Sequence, residues 1–267
     1  MTTKPENQGQ TTVSGGQHDG KTGSVPVLLV EDRGAIRLLT MNRPEKRNAL
    51  NAELTQALLD GLRAADTDDS VRCVVLTGAG QGFCAGADLS EFKDLQQALA
   101  AENRAELTMQ LHLIFSRTSK PVVTAINGHA MGGGAGLAIA ADMALMADSA
   151  KLGYPEPKHG IVAAIVMANL VRQVGRKAAF ELVALGEPVD AARALQLGMV
   201  NKVVPLKDLL NESIAVAEKL AAVKRPAMAE TKRLFHEVAD LPLATALERG
   251  RDTNKRMRNF QQLAGKK

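Results

Sequence analysis

Three apolar runs constrain the fold of this chain more than any other feature: Val71 to Leu76, Pro121 to Ile126 and Met143 to Met146. A strand with one wet face alternates polar and apolar residues. A run without that alternation is buried on both faces, as in a parallel sheet covered by helices. Around these runs the punctuation is regular. Val27 to Val30 and Ala35 to Met41, joined by Glu31, Asp32, Arg33 and Gly34, predict a β-hairpin. Leu50, Leu54, Leu58 and Leu62 recur every four residues behind Asn51, a side chain suited to capping a helix. Asp190 caps a second helix over Ala191 to Leu197, with Gly198 at its stop. From Leu206 onward the pattern is helical throughout, restarted by Pro226 and broken by Pro242. Strands interleaved with helices, then helices alone, predict an α/β core over 26–205 and a helical region over 206–267. Residues 1–25, polar and rich in Gly, Thr and Gln, read as a disordered tail.

Composition removes several classes of function. Aromatic residues make up 3% of the 267, with no Trp and a single Tyr, which leaves nothing to build a base-stacking surface. The net charge of +4 arises from 33 basic and 29 acidic residues that interleave, so no nucleic-acid footprint is expected. A few local Lys or Arg remain enough to hold a phosphorylated small molecule. Cys73 and Cys84 cannot make a metal cluster or a disulfide framework by themselves, and no metal is expected. The apolar stretch from Ile161 to Ala168 falls short of the ~20 residues that span a bilayer, so no membrane partner is expected and a cytoplasmic location is.

Two glycine-rich segments follow buried runs. The first, Leu76 to Leu89, contains Gly80, Gly82 and Ala85 at the spacing of a loose dinucleotide fingerprint. It does not open a first βαβ unit with an acid about 20 residues on, so the nicotinamide reading fails. The second, Asn127 to Ala138, lacks the Gly-Lys-Ser/Thr ending of a nucleotide P-loop. Each segment delivers small residues after a strand, where the start of a helix leaves peptide N–H groups free. Two such N–H groups converging on one point make an oxyanion hole for a carbonyl oxygen that gains negative charge.

These segments carry a resemblance. Phe83-Cys84-Ala85-Gly86-Ala87-Asp88-Leu89, then Asn127-Gly128 leading into Gly132-Gly133-Gly134, then Gly153-Tyr154-Pro155-Glu156 resemble the ordered signatures of the enoyl-CoA hydratase/isomerase (crotonase) superfamily. Asn42-Arg43-Pro44-Glu45-Lys46-Arg47-Asn48-Ala49-Leu50 is similar to the family's opening motif, and Gly186-Glu187-Pro188 and Ala194 to Asn201 to its later landmarks. The resemblance implies a crotonase-like ββα spiral core with a C-terminal helical trimerisation region, assembled as a homotrimer or a dimer of trimers. It implies an acyl-CoA substrate, with coenzyme A entering as part of the thioester and no permanently bound cofactor. The enolate oxygen would be held by the amides of Ala87 and Gly133. Lys46 and Arg47 would lie near the CoA phosphates, Ala49 beside its pantetheine or adenine portion, and Ala85, Asp88 and Leu89 along the bent cofactor. Cys84 reads as a packing residue, and His129 and His159 as structural or surface groups.

The catalytic acids are where the chain departs from the family pattern. Many hydratases of the family carry two glutamates, one just after the Gly-Gly-Gly and one after the Gly-x-Pro. The second is present as Glu156; the first position is Gly136. Two carboxylates facing one water suit the hydration of a 2-enoyl thioester. One carboxylate suffices to move a double bond from position 3 to position 2. The single Glu156 therefore favours an isomerase-like activity. A hydratase using a replacement acid, with Glu91 and Asp94 as candidates, and a catalytically weak acyl-CoA-binding protein are the alternatives. Two smaller departures matter: Val162 to Met167 replaces a Pro-Gly-Ala-Gly-Gly stretch near the presumed acyl end, and the usual C-terminal stretch is reduced to Phe260-Gln261-Gln262.

Overall fold

The computed structural model describes residues 25–91 and 98–264, with side chains for 25–91 and 102–258. The expected tail (all but Val25), Asp94 and the Phe260-Gln261-Gln262 side chains lie outside these. The chain opens with a hairpin of β1 (Leu28–Arg33) and β2 (Ile36–Met41). Its turn is tighter than the sequence predicts. Glu31, Asp32 and Arg33 extend β1 on an exposed edge, where Asp32 pairs with Arg37 at 2.8 Å. Helix α1 (Ala52–Thr67) follows, and the Asn51 side chain caps it by accepting from Leu54 N at 2.9 Å.

A strand–strand–helix unit then repeats. β3 (Cys73–Gly78) leads to β4 (Gly82–Cys84) and α2 (Ala98–Arg117). β5 (Val122–Ile126) leads to β6 (His129–Met131) and α3 (Gly133–Ala140). β7 (Met143–Ala147) leads to β8 (Lys151–Gly153) and α4 (Ala164–Val174). After these come α5 (Arg176–Leu185), β9 (Val189–Asp190), α6 (Ala191–Gln196) and β10 (Lys202–Val204). The five long strands and the three-residue β10 form a six-stranded sheet in the order β1-β2-β3-β5-β7-β10, parallel from β2 onward. The other short ones form a second sheet, β4-β6-β8-β9. The expected α/β class with a ββα spiral core is observed.

Burial explains why the strands could be seen in the sequence. Every residue of β3 and β5 is buried, and the hydroxyls among them are satisfied locally: Thr77 donates to Ala125 O at 2.8 Å and Thr124 to Ala138 O at 2.7 Å. The four strands of the second sheet, like β10, have only two or three residues each, too few to show a period. Helix α7 (Leu206–Ala222) buries Leu209, Ser213 and Ala217 and packs across β3, β5 and β7. α8 (Arg225–Val238) and α9 (Leu243–Ala264) pack on each other. Lys232 ties α8 to the core, donating to Asp142 Oδ2 and Lys120 O at 2.8 Å and to Thr118 Oγ1 at 2.9 Å.

Candidate active site

The first glycine-rich segment leaves β4 and runs beside Leu50 as a single parallel bridge, Leu50 to Ala87. Leu50 supplies the ladder bonds: its N–H donates to Gly86 O at 2.7 Å and its carbonyl accepts from Asp88 N at 2.9 Å. In a parallel ladder only one of the two paired residues makes these bonds, so the Ala87 N–H points away from Leu50. It has no partner among the described residues. This corrects the expectation that the start of a helix frees it; a strand bridge does. The second amide matches its expectation. Gly133 is the first residue of α3, where an N–H has no partner within the helix.

Gly86 and Gly132 let these peptides approach. Gly86 has φ +93°, and a Cβ there would stand 2.7 Å from Met131 O and 3.3 Å from Gly133 N. Gly132 has φ +53°, and a Cβ there would stand 2.8 Å from Glu156 Oε1. Both conformations are ones that residues with side chains rarely adopt. The Glu156 carboxylate thus lies directly over the turn that presents the Gly133 amide.

Ala87, Gly133 and Glu156 share one cavity of about 460 Å³. Glu156 enters it from a 3-10 turn after β8, half-buried, with Oε2 shielded and without a hydrogen-bond partner among the described residues. Burial is the main influence on its carboxyl and raises its pKa above the ordinary glutamate value, against smaller lowering contributions from its own backbone and from His159. One wall of the cavity is the apolar segment 161–166, and the other is α2 through Arg104, Ala105 and Thr108. Residues 162–166 of the 162–167 replacement noted in the sequence therefore line this cavity.

Gly136 is filled from outside. A Cβ at this position would stand 2.7 Å from Val166 Cβ and 2.9 Å from His112 Cε1, so the site of the missing first acid has no room for a side chain. His112 is buried, with both ring nitrogens unpartnered among the described residues, and burial pushes its pKa down to about 4. Glu91 is engaged elsewhere. It accepts from Ala52 N at 3.0 Å and lies 3.4 Å from Arg104 Nε.

A second cavity of about 670 Å³ has Arg47, Ala85, Gln81, His129 and Met131 in its walls. Of the other residues expected along the cofactor, Ala49 is buried, Lys46 and Leu89 are exposed, and Asp88 is buried in an ion pair with Arg43 at 2.9 Å. Asp88 also accepts from the Ser90 hydroxyl at 2.7 Å, so it braces the Ala87 turn from within the protein. His129 accepts from Lys151 N at 3.2 Å and His159 is exposed. Cys84 is fully buried and burial pushes its thiol up to about 12, which fits a packing role. The sequence reading missed Arg43, Arg104 and Thr108. Arg104 and Thr108 are four apart on one helix face, but nothing in their spacing distinguishes them from solvent-facing helix residues.

The ββα spiral thus brings two unpaired amides and the half-buried Glu156 carboxylate to one cavity, the candidate active site. The enoyl-CoA hydratase/isomerase family model matches residues 31–264. The chain belongs to this family, whose members act on CoA thioesters. A Rhizobium meliloti protein named "Probable enoyl-CoA hydratase" is 37% identical over 84% of this chain and 86% of its own length. The crystal structure of an enoyl-CoA hydratase from Mycobacterium smegmatis aligns with a TM-score of 0.83 at 33% identity, covering 86% of this chain and 90% of the other. That of a monofunctional enoyl-CoA isomerase from M. smegmatis aligns at 0.73 with 31% identity, covering 84% and 99%. Among the described residues no helix is long and apolar enough to cross a membrane.

Proposed function

We propose that this enzyme moves the double bond of a 3-enoyl-CoA thioester to position 2, with Glu156 as its single acid/base. The observation that carries the reading is the packing at Gly136, where Val166 and His112 occupy the space a second carboxylate would need. In this mechanism the Glu156 carboxylate takes a proton from C2 of the thioester. The C–H electron pair moves into the carbonyl, and the dienolate oxygen accepts the N–H groups of Ala87 and Gly133. The protonated Glu156 then delivers the proton to C4, and the electrons return to form the C2–C3 double bond. A carboxyl with a raised pKa suits both halves, because it holds the proton between removal and return.

The second cavity, with Arg47 and Ala85 in its walls, is the proposed seat of the CoA moiety. On the resemblance of their motifs, exposed Lys46 is assigned to the phosphates and Ala49 and Leu89 to the length of the cofactor, while Asp88 is assigned to bracing the adjacent turn. No permanently bound cofactor is required. A homotrimer, or a dimer of trimers, built on the C-terminal helices is proposed on the exposed apolar side chains Phe235, Leu243 and Leu247. Hydration of a 2-enoyl-CoA is the second reading, favoured by the hydratase names among relatives.

Glu156→Gln tests the assignment. Isomerisation should fall by roughly 10²- to 10⁴-fold, the range for loss of a positioned acid/base, while the Kd of a saturated acyl-CoA stays within about twofold. An unchanged kcat would remove Glu156 from the chemistry.

A further inference from the structure

The acyl cavity has one charged side chain besides Glu156 among the described residues, and its chemistry is unlike the wall it faces. Arg104 enters from α2 with its side chain 13% exposed. Opposite it stands the apolar segment 161–166. A guanidinium has five N–H donors. One on Nη2 donates to Leu50 O at 2.6 Å, one on Nη1 donates to Thr108 Oγ1 at 3.0 Å, and Nε lies 3.4 Å from Glu91 Oε2. The remaining two, one on each Nη, have no partner among the described residues. The guanidinium is thereby fixed at three points with two donors to spare.

Its charge is also incompletely matched. Both Glu91 oxygens accept from the Ala52 N–H at the head of α1, so Oε2 serves Arg104 and Ala52 together, and the Glu91 side chain is 32% exposed. Burial disfavours the Arg104 cation, and Glu91 and Asp88 favour it. An alkyl chain in this cavity would strip water from the two spare donors and give nothing back, which is costly for a charged group. A carboxylate would accept from these donors and balance the charge that Glu91 only partly meets.

We propose that Arg104 selects the substrate: the cavity takes CoA thioesters whose acyl chain carries a carboxylate, received by the two spare N–H groups of Arg104. This rests on the acyl-CoA reading above and narrows it to monothioesters of dicarboxylic acids. Thr108 acts as a positioning residue, holding the guanidinium toward the cavity.

The test is calorimetric binding of saturated thioesters in pairs matched for carbon number: butyryl- against succinyl-CoA, hexanoyl- against adipoyl-CoA, octanoyl- against suberoyl-CoA. Saturated chains need no enolate chemistry, so the result does not depend on Glu156. At one or more lengths the carboxylate member should bind at least about tenfold tighter than its alkyl partner, and Arg104→Met should erase that ratio. Equal or tighter binding of the alkyl member at every length overturns the proposal, as does a ratio that Arg104→Met leaves unchanged. Should that variant fail to fold, Arg104→Lys keeps the charge and loses the fork. A reduced ratio then supports the proposal and an unchanged one overturns it. Binding of neither member of any pair is a different result, and it defeats the acyl-CoA reading itself.

Discussion

At the scale of single residues, the site depends on groups left without partners. Ala87 N, Gly133 N and Glu156 Oε2 have none among the described residues, which leaves all three available to a ligand; for the shielded Glu156 Oε2 the missing partner is costly until a ligand supplies it. Burial raises the Glu156 carboxyl, which sets the sign of the pH dependence. The base works ionised, so kcat/KM should fall on acidification through a pH above the ordinary glutamate range. A profile that stays flat down to that range would contradict the burial of Glu156 in the free enzyme. Glu156 could be singled out in the sequence only through the resemblance of Gly153-Tyr154-Pro155-Glu156 to a family signature. Arg104 could not, since an arginine amid helical polar residues carries no local mark of the cavity it faces.

At the scale of elements, what local pattern encodes was readable and what distant pairing encodes was not. Asn51 and Asp190 cap their helices as their side chains predict, accepting from Leu54 N at 2.9 Å and Arg193 N at 2.8 Å. The second sheet, with strands of two or three residues, forms because β3, β5 and β7 each deliver a short successor, β4, β6 and β8, to the same edge. The Leu50 to Ala87 bridge belongs to the same kind: its partners are separated by a helix and two strands, so no window of sequence holds both. The junction of α2, α3 and α4 decides the acid count. Gly136→Ala forces a methyl against Val166 and His112 and should destabilise the fold by about 1–3 kcal/mol, as overpacked cores do. Denaturant unfolding reads this. A variant as stable as the wild type would mean that the junction has room after all, and would weaken the argument against a second acid.

At the scale of the whole molecule, the C-terminal region is held to the core by a buried charge pair as well as by apolar contact. Burial alone would raise the Asp142 carboxyl, but His236, Lys232 and the Val122 N–H outweigh it and hold it below the usual carboxylate value. A depressed folded pKa contributes stability above the carboxylate range that is lost as pH falls through it. Lys232→Met leaves Asp142 buried with its main cation removed and should cost about 3–5 kcal/mol at neutral pH. At ~2–4 °C per kcal/mol this lowers Tm by roughly 6–20 °C, and the gap from wild type should narrow in acid. An unchanged Tm would show that α8 is held by packing alone. The division of the chain into strands with helices and then helices only was visible from composition and period. That α7 closes the main sheet, over β3, β5 and β7, was not, because an amphipathic helix does not name the face it covers.

The central claim is that one carboxylate and two amides make this chain a double-bond isomerase. The most direct measurement offers the purified enzyme a 3-enoyl-CoA and, separately, the matching 2-enoyl-CoA, and compares kcat/KM for the two by product chromatography. The claim predicts conversion of the 3-enoyl to the 2-enoyl thioester, with hydration of the 2-enoyl thioester at least about tenfold slower. Rapid formation of 3-hydroxyacyl-CoA from the 2-enoyl substrate, matching or exceeding isomerisation, would contradict it.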